Sequence, residues 1–217
     1  MLKALFYSGD VPFDHLFIPA IYHEIYYDSI YLDIMNVLDK TKEDCVIVDV
    51  GANIGITVQH FREHAKRVLA VEPSTEHFEA LSKNKEFNKW DNVDLVKCAI
   101  SEKDGEATLN LHKNNRTSHS LAYARGTSGS EVVKTKTLMT LFKENNIDHV
   151  DFMKFDVEGA EEAILPSKDF AEASKIIDNV MIEFHFPNFP EHVNRLIKLG
   201  YSARRYPCSA VIVDFNK

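Results

Sequence analysis

Five short runs rich in Val, Ile, Leu and Phe recur along the chain: VIVDV (46–50), RVLAVE (67–72), VDLVKC (93–98), VDFMKFDV (150–157) and NVMIEFHF (179–186). Helix-like stretches over 56–64 and 74–88 separate the first three, the second opened by Pro73 and a Ser74 cap with Glu76 and His77 following. Strand and helix alternating in this way predict a parallel sheet, because a parallel neighbour is reached only through a crossover that carries the chain back. The α/β class follows.

The remaining segments decorate that frame. ATLNLH (107–112) and VVKTKTL (132–138) read as two extra strands around a polar, Gly- and Ser-rich loop at 113–130. A loop of that length inside a compact domain is usually functional. Further helices are expected over 138–146 and 191–199, the latter ending at Gly200, and YSARRY with SAVIVDF would pair as a closing antiparallel hairpin. In the N-terminal part, Ile21, Tyr22, Ile25, Tyr26, Ile30, Ile34 and Leu38 fall at mostly three- and four-residue intervals, predicting an amphipathic helix over 18–38. Residues 1–44 are therefore expected as a helical extension, and 45–217 as the main domain.

Composition narrows the function classes. A chain of 217 residues with 45% hydrophobic content builds one substantial core. A net charge of −8 disfavours RNA as a partner without excluding a local basic face, for which Arg195, Arg204 and Arg205 are the candidates. Cys45, Cys98 and Cys208 are too few and too scattered for a disulfide framework or a metal knuckle, which fits a reducing, cytoplasmic home. No run of about 18 apolar residues and no signal-like leader is present, so no membrane association is expected. Oligomeric state leaves no signal.

The stretch VIVDVGANIGIT (46–57) points to a ligand. Asp49 lies near the tip of the first strand, and Gly51 and Gly55 punctuate the turn into the next helix. In open parallel sheets ligands sit beyond the carboxyl ends of the strands, where helix-start N–H groups receive anions and glycine lets a ligand reach the backbone. The dinucleotide fingerprint needs glycine at position 53 and finds Asn53, and no G-K-[ST] follows for a P-loop. Glu72, 21 residues beyond Gly51 at the end of the second run, is placed to accept hydrogen bonds from ribose hydroxyls.

The VDVGANIG motif with Glu72 resembles the class I S-adenosylmethionine-dependent methyltransferases. The block TLMTLFKENNIDHVDFMKFDVEGAEEAIL (137–165) closely resembles the signature of their FkbM family, and the resemblance runs from about Cys45 to His185. It implies a Rossmann-like, seven-stranded, mostly parallel sheet with helices on both faces. It also implies S-adenosyl-L-methionine as cofactor, and methyl transfer to a hydroxyl oxygen, less often a nitrogen, of a small molecule or glycan. On it, Gly51, Ala52, Asn53 and Gly55 would wrap the methionine part, Asp49 would sit beneath, and Glu72 would hold the ribose. Ala99 and Ser101 would lie along the adenine, and Asp156 would close the pocket. The sequence ILPSKDF (164–170) departs from the family, which often carries a glycine there, and the first 44 residues match nothing in it. A nucleotide-binding oxidoreductase and a non-catalytic nucleoside-binding module remain the alternatives.

Methyl transfer from a sulfonium needs alignment and, for a hydroxyl acceptor, help in losing a proton. His185, two residues after Glu183, is the first candidate base, as a neutral imidazole, and Asp156 the second. Asp156 and Glu158, with Asp151, would make an oxygen-rich metal cluster, but the blander expectation is no metal, with Glu158 capping a helix that begins near Gly159. His60, Glu63 and His64 spell an inverted zinc pattern without a third ligand, and read as a helix face. His119 with Arg116, Ser118 and Ser120 would either meet substrate or be ordinary loop polarity. Cys98 reads as a packed thiol. Tyr22, Tyr26, Tyr27 and Tyr31 would form either a lid or core.

Overall fold

The computed structural model describes residues 44–112, 119–122, 127–205 and 210–214, with the backbone alone at 128, 204, 205 and 210–214. The expected extension at 1–43 with its helix, the segments 113–118 and 123–126 with Arg116 and Ser118, and Cys208 lie outside the described residues.

Strands β1 (Val46–Val50), β2 (Arg67–Val71), β3 (Val93–Val96), β7 (Val150–Phe155), β8 (Ile177–Glu183), β9 (Ser202–Arg205) and β10 (Ala210–Asp214) form one seven-stranded sheet in the order β3-β2-β1-β7-β8-β10-β9. All neighbours are parallel except β10, which runs antiparallel to both β8 and β9 and confirms the closing hairpin. The order reverses at β1, whose Asp49 is level with Ala70 of β2 on one side and with Lys154 of β7 on the other. That register brings the residues after each strand, Gly51, Glu72 and Asp156, to one edge of the sheet, the crevice where ligands of open α/β folds bind.

Side chains alternate through the sheet, so each face has its own core. Ile47, Val68, Ala70, Phe152 and Met181 pack against α1 (Ile56–Phe61), α2 (Thr75–Asn88) and Trp90. Val48, Val50, Leu69, Met153, Phe155, Val180 and Ile182 pack against α3 (Leu138–Glu144), α5 (Lys168–Ala173) and α6 (Phe189–Lys198). Trp90, Phe61, Phe142, Phe152, Phe155 and Phe170 are fully buried, each worth about 1.5–3 kcal/mol of transfer free energy or more. The Trp90 indole N–H is satisfied by Gln59 at 2.6 Å.

The expected extra strands exist as a second sheet, in which β6 (Thr127–Lys136) lies between β4 (Ala99–Ile100), parallel to it, and β5 (Gly105–His112), antiparallel to it. Residue Ser120 bridges back to Asn110 of β5 through backbone bonds of 2.9 and 3.1 Å. Helix α5 has no counterpart among the expected elements, and two other helices differ from expectation. The first ends at Phe61, not His64. The helix expected near Gly159 is the single turn α4 (Glu161–Ile164), because Glu158 and Gly159 both adopt positive φ, 53° and 101°, and the chain cannot turn helical until they are passed. Among the described residues no helix is long and apolar enough to cross a membrane.

Candidate active site

The loop after β1 is held from both sides. Gly51 and Ala52 each donate a backbone N–H to Val71 O at 3.0 Å. Gly51 has φ 83° and Gly55 φ 95°. The sequence assigns their bare backbone to ligand approach, and the structure adds a second reason for glycine at both positions. A Cβ on Gly51 would lie 1.9 Å from the Asp156 carbonyl oxygen, and one on Gly55 would lie 2.6 Å from Leu81 Cδ1 and 2.8 Å from Trp90 Cη2. The missing side chains admit the end of β7 and the wall of α2, so the glycines shape the site by letting protein pack beneath it.

Glu72 is 5% exposed and braces the loop, accepting the Asn53 N–H at 2.9 Å on one oxygen and the Ser74 N–H at 2.9 Å on the other. A carboxylate has about four lone-pair directions, so both oxygens retain acceptor capacity. Beside it, His77 places Nδ1 3.6 Å from Glu72 and stacks on His119, the rings 4.6 Å apart and 3° from parallel. Burial, with His77 adjacent, lowers the His119 pKa to about 4, so it stays neutral. His77 Nε2 is buried with no hydrogen-bond partner among the described residues.

A cavity of about 310 Å³, within the usual range for small-molecule sites, opens over this loop. Of the residues singled out in the sequence, Gly51, Ala52, Asn53, Glu72, Ala99 and Asp156 line it. Asp49, Gly55, Ser101 and His185 are not in the lining. Asp49 lies buried beneath, and the Ser101 N–H is spent on Lys136 O at 3.0 Å in the small sheet. Leu109, His119 and Leu121 of the insert supply another wall.

The floor is ionic. Asp49, 0% exposed, accepts the Thr57 hydroxyl at 2.5 Å and faces Lys154 Nζ at 3.7 Å. Burial raises the Asp49 pKa despite Lys154 and the Thr57 hydrogen bond, which pull it down. Lys154, itself 5% exposed, also meets Asp156 at 3.0 Å and donates to Gly51 O at 3.2 Å. Sequence reasoning missed Lys154, although the one cation in VDFMKF was a signal: a cation in a central strand is retained when anions surround it.

At the opposite end, His185 stands among four acids. Its Nδ1 is 3.2 Å from Glu161 Oε1, and its Nε2 lies 3.5 Å from Glu158, 3.7 Å from Glu183 and 3.8 Å from Asp156. Burial alone would lower the His185 pKa; the Glu161 hydrogen bond and the charges of Glu158, Glu161 and Asp156 overcome it and raise it to about 9. The expected neutral imidazole is thus corrected to an imidazolium at neutral pH in this acidic surrounding. Glu158, which lines the cavity, is pushed up to about 7 by burial, against the pull of His185. The cap expected of Glu158 is absent, since Ala160 is the N-cap and no side chain caps it; Glu161 instead folds back on the loop before the helix, its two oxygens accepting the N–H groups of Val157 at 3.0 Å and Gly159 at 2.8 Å. Ser120 ties the insert to this end by donating its hydroxyl to Glu158 O at 2.5 Å.

Three other residues take no part in the site's chemistry. Asp151 sits at the other end of β7, accepting the Val46 N–H at 2.7 Å, and joins no cluster with Asp156. His60 is buried with its pKa lowered to about 4 by burial and by His64, as a packed helix residue. Burial lifts the Cys98 thiol to about 11, which leaves it inert although it touches the cavity.

The family model described as the methyltransferase FkbM domain matches residues 49–203. The chain belongs to the FkbM methyltransferase family. That membership answers the oxidoreductase alternative: the chain is a methyltransferase of the S-adenosylmethionine-dependent kind. It is 28% identical over 193 residues to Methyltransferase 1 of Beauveria bassiana, covering 79% of this chain and 75% of that one. It is 26% identical over 160 residues to the hexuronic acid methyltransferase AglP of Haloferax volcanii, covering 74% of this chain and 64% of that one. In fold it is similar to an rRNA methylase from Streptococcus thermophilus, with a TM-score of 0.53 at 10% identity, covering 88% of this chain and 99% of that one. The sheet order and the crevice are those expected of a class I methyltransferase fold.

Proposed function

We propose that this FkbM protein transfers a methyl group from S-adenosyl-L-methionine to a hydroxyl oxygen of a small molecule or glycan. The observation that carries the reading is one cavity with two acidic ends: Glu72 on one side, Asp156 and Glu158 on the other. Glu72 would hold the ribose hydroxyls with its spare lone pairs, and the orphaned His77 Nε2 offers a further polar contact on that side. Gly51, Ala52 and Asn53 would hold the amino-acid tail, and Ala99 the adenine. Asp49 and Lys154 stiffen the floor beneath. When bound, the cofactor supplies an electrophilic methyl on a neutral leaving group.

At the acceptor end, Asp156 and Glu158 are the proton acceptors best placed to receive a hydroxyl hydrogen, since both face the cavity. His185 lies behind them and acts by positioning these carboxylates. Carboxylates also suit sugar hydroxyls, which donate to them, and the hexuronic acid acceptor in the name of the Haloferax relative supports the carbohydrate class. Calorimetric titration with S-adenosylhomocysteine and with NAD, followed by labelled methyl transfer to a panel of sugars and uronic acids, tests the reading. Binding of S-adenosylhomocysteine and loss of transfer in Asp156→Ala and Glu158→Ala are expected. Binding of NAD alone, or full transfer in both variants, overturns it.

A further inference from the structure

Three carboxylate oxygens surround Nε2 of His185 at 3.5, 3.7 and 3.8 Å. These spacings are slightly longer than those between donors that share a centre. Ligands about 2.1 Å from a cation lie about 3.0 Å apart in octahedral and about 3.4 Å apart in tetrahedral arrangement. Movement of a few tenths of an ångström per side chain would bring Nε2 and each oxygen to such spacings. The donor atoms of Asp156, Glu158 and His185 already lie within 4.8 Å of one another; Glu183, 3.7 Å from Nε2, lies outside that group and has to turn toward it to join.

Independent support comes from outside the ring. Glu161 is 0% exposed, fixed by two backbone N–H groups, and takes the Nδ1 side of the imidazole. With Nδ1–H committed to Glu161, Nε2 is turned toward the three acids, the carboxylate–imidazole relay that orients metal-ligating histidines, and an ion bound there displaces the proton that Nε2 carries in its absence. Asp156 Oδ1 is sealed from solvent and receives no hydrogen bond among the described residues, while its other oxygen is tied to Lys154. Asp156, Glu158 and Glu183 all line the cavity, so an ion there would meet the acceptor.

We propose that Asp156, Glu158, Glu183 and His185 form a binding site for a divalent cation of the Mg²⁺/Mn²⁺ class at the acceptor end of the cavity. Three carboxylates and one imidazole form a hard, oxygen-rich set with no thiolate; the imidazole favours Mn²⁺ over Mg²⁺. This departs from the metal-free expectation of the sequence, which looked to Asp151 and lacked the ring. The proposal deepens the methyl-transfer reading and rests on it for its chemistry. A cation beside the acceptor hydroxyl lowers its proton affinity. The O–CH₃ bond then forms as the S–CH₃ bond breaks, the electron pair stays on sulfur, and the proton leaves through a carboxylate oxygen not engaged by the ion.

The test is uptake of Mn²⁺ by the chelator-stripped full chain, read as loss of the free-ion signal in electron paramagnetic resonance. Calorimetry with S-adenosylhomocysteine is run on the same samples, and circular dichroism verifies the fold. Uptake of one equivalent is expected. Asp156→Asn and Glu183→Gln, at the ends of different strands, should each weaken it at least tenfold, and Glu161→Gln about tenfold through the relay. Asp178→Asn, in the exposed group His149, Asp151 and Asp178, should leave uptake unchanged. No uptake by the wild type at millimolar Mn²⁺, uptake indifferent to Asp156→Asn and Glu183→Gln, or uptake lost in Asp178→Asn overturns the site. Binding of S-adenosylhomocysteine without Mn²⁺ uptake removes the cation and leaves methyl transfer standing; Mn²⁺ uptake without S-adenosylhomocysteine binding does the reverse.

Discussion

Replacing Lys154 by Met keeps most of the side-chain volume and removes one ammonium from between Asp49 and Asp156. The charges stand 3.7 and 3.0 Å apart, and such pairs are worth about 4–6 kcal/mol each before desolvation at an effective dielectric near 20. Asp156 is 22% exposed at its side chain and recovers part of its loss from water, whereas Asp49, at 0%, recovers none. Breaking a buried pair from one side costs about 3–5 kcal/mol, and relief from no longer burying the ammonium places the expectation near 3. For a chain of this size that lowers Tm by about 10 °C. Asp49 already has a raised pKa, and losing Lys154 raises it further. An acid whose folded pKa exceeds its unfolded value favours the fold at low pH and opposes it as pH rises through the folded value, so the deficit should be larger at pH 7.5 than at pH 5.5. Urea unfolding at both pH values measures it, with the double variant Asp49→Asn/Lys154→Met expected to regain at least half the loss. A single variant within about 1 kcal/mol of wild type, or a double variant no better than the single, would refute the ionic floor.

Gly51→Ala should cost about 3 kcal/mol or more in urea unfolding, from a left-handed φ of 83° and a Cβ driven against the Asp156 carbonyl. Gly129→Ala, where nothing lies within 4 Å, should stay within about 0.5 kcal/mol. His60, with its pKa lowered to about 4 chiefly by burial, contributes stability that is complete above about 6.5 and lost as pH falls toward 4. Wild type should therefore lose up to about 3 kcal/mol more than His60→Gln across that window, read from denaturant midpoints. Glu72→Gln should weaken S-adenosylhomocysteine binding by about tenfold or more in calorimetry, because a charged acceptor becomes half a donor; unchanged affinity would remove Glu72 from the ribose.

Much of the fold is legible in local pattern. The run VIVDV is β1 to the residue, and Pro73 with Ser74 opens α2 one residue from the observed start. Apolar periodicity and helix-start chemistry are short-range properties, so they are written in neighbouring letters. The acid at the tip of β2 is legible for the same reason, since a strand end marks where a side chain emerges. Ser101 departs from expectation because its small-sheet pairing with Lys136 is set by a strand from far along the chain. The single turn at Glu161 is not legible because two positive-φ residues before it delay the helix.

The letters alone determined the alternation of strand and helix, the family signature, and which acids and glycines stand at strand ends, because each is settled within a few residues of backbone. Tertiary packing decided what those residues do: Gly51 yields to the Asp156 carbonyl, Lys154 neutralises a floor 103 residues from Gly51, and Glu161 turns an imidazole toward three acids. The physical reason is that charge, burial and Cβ clearance depend on atoms brought within a few ångströms by the sheet order, and a one-dimensional pattern holds no record of that proximity.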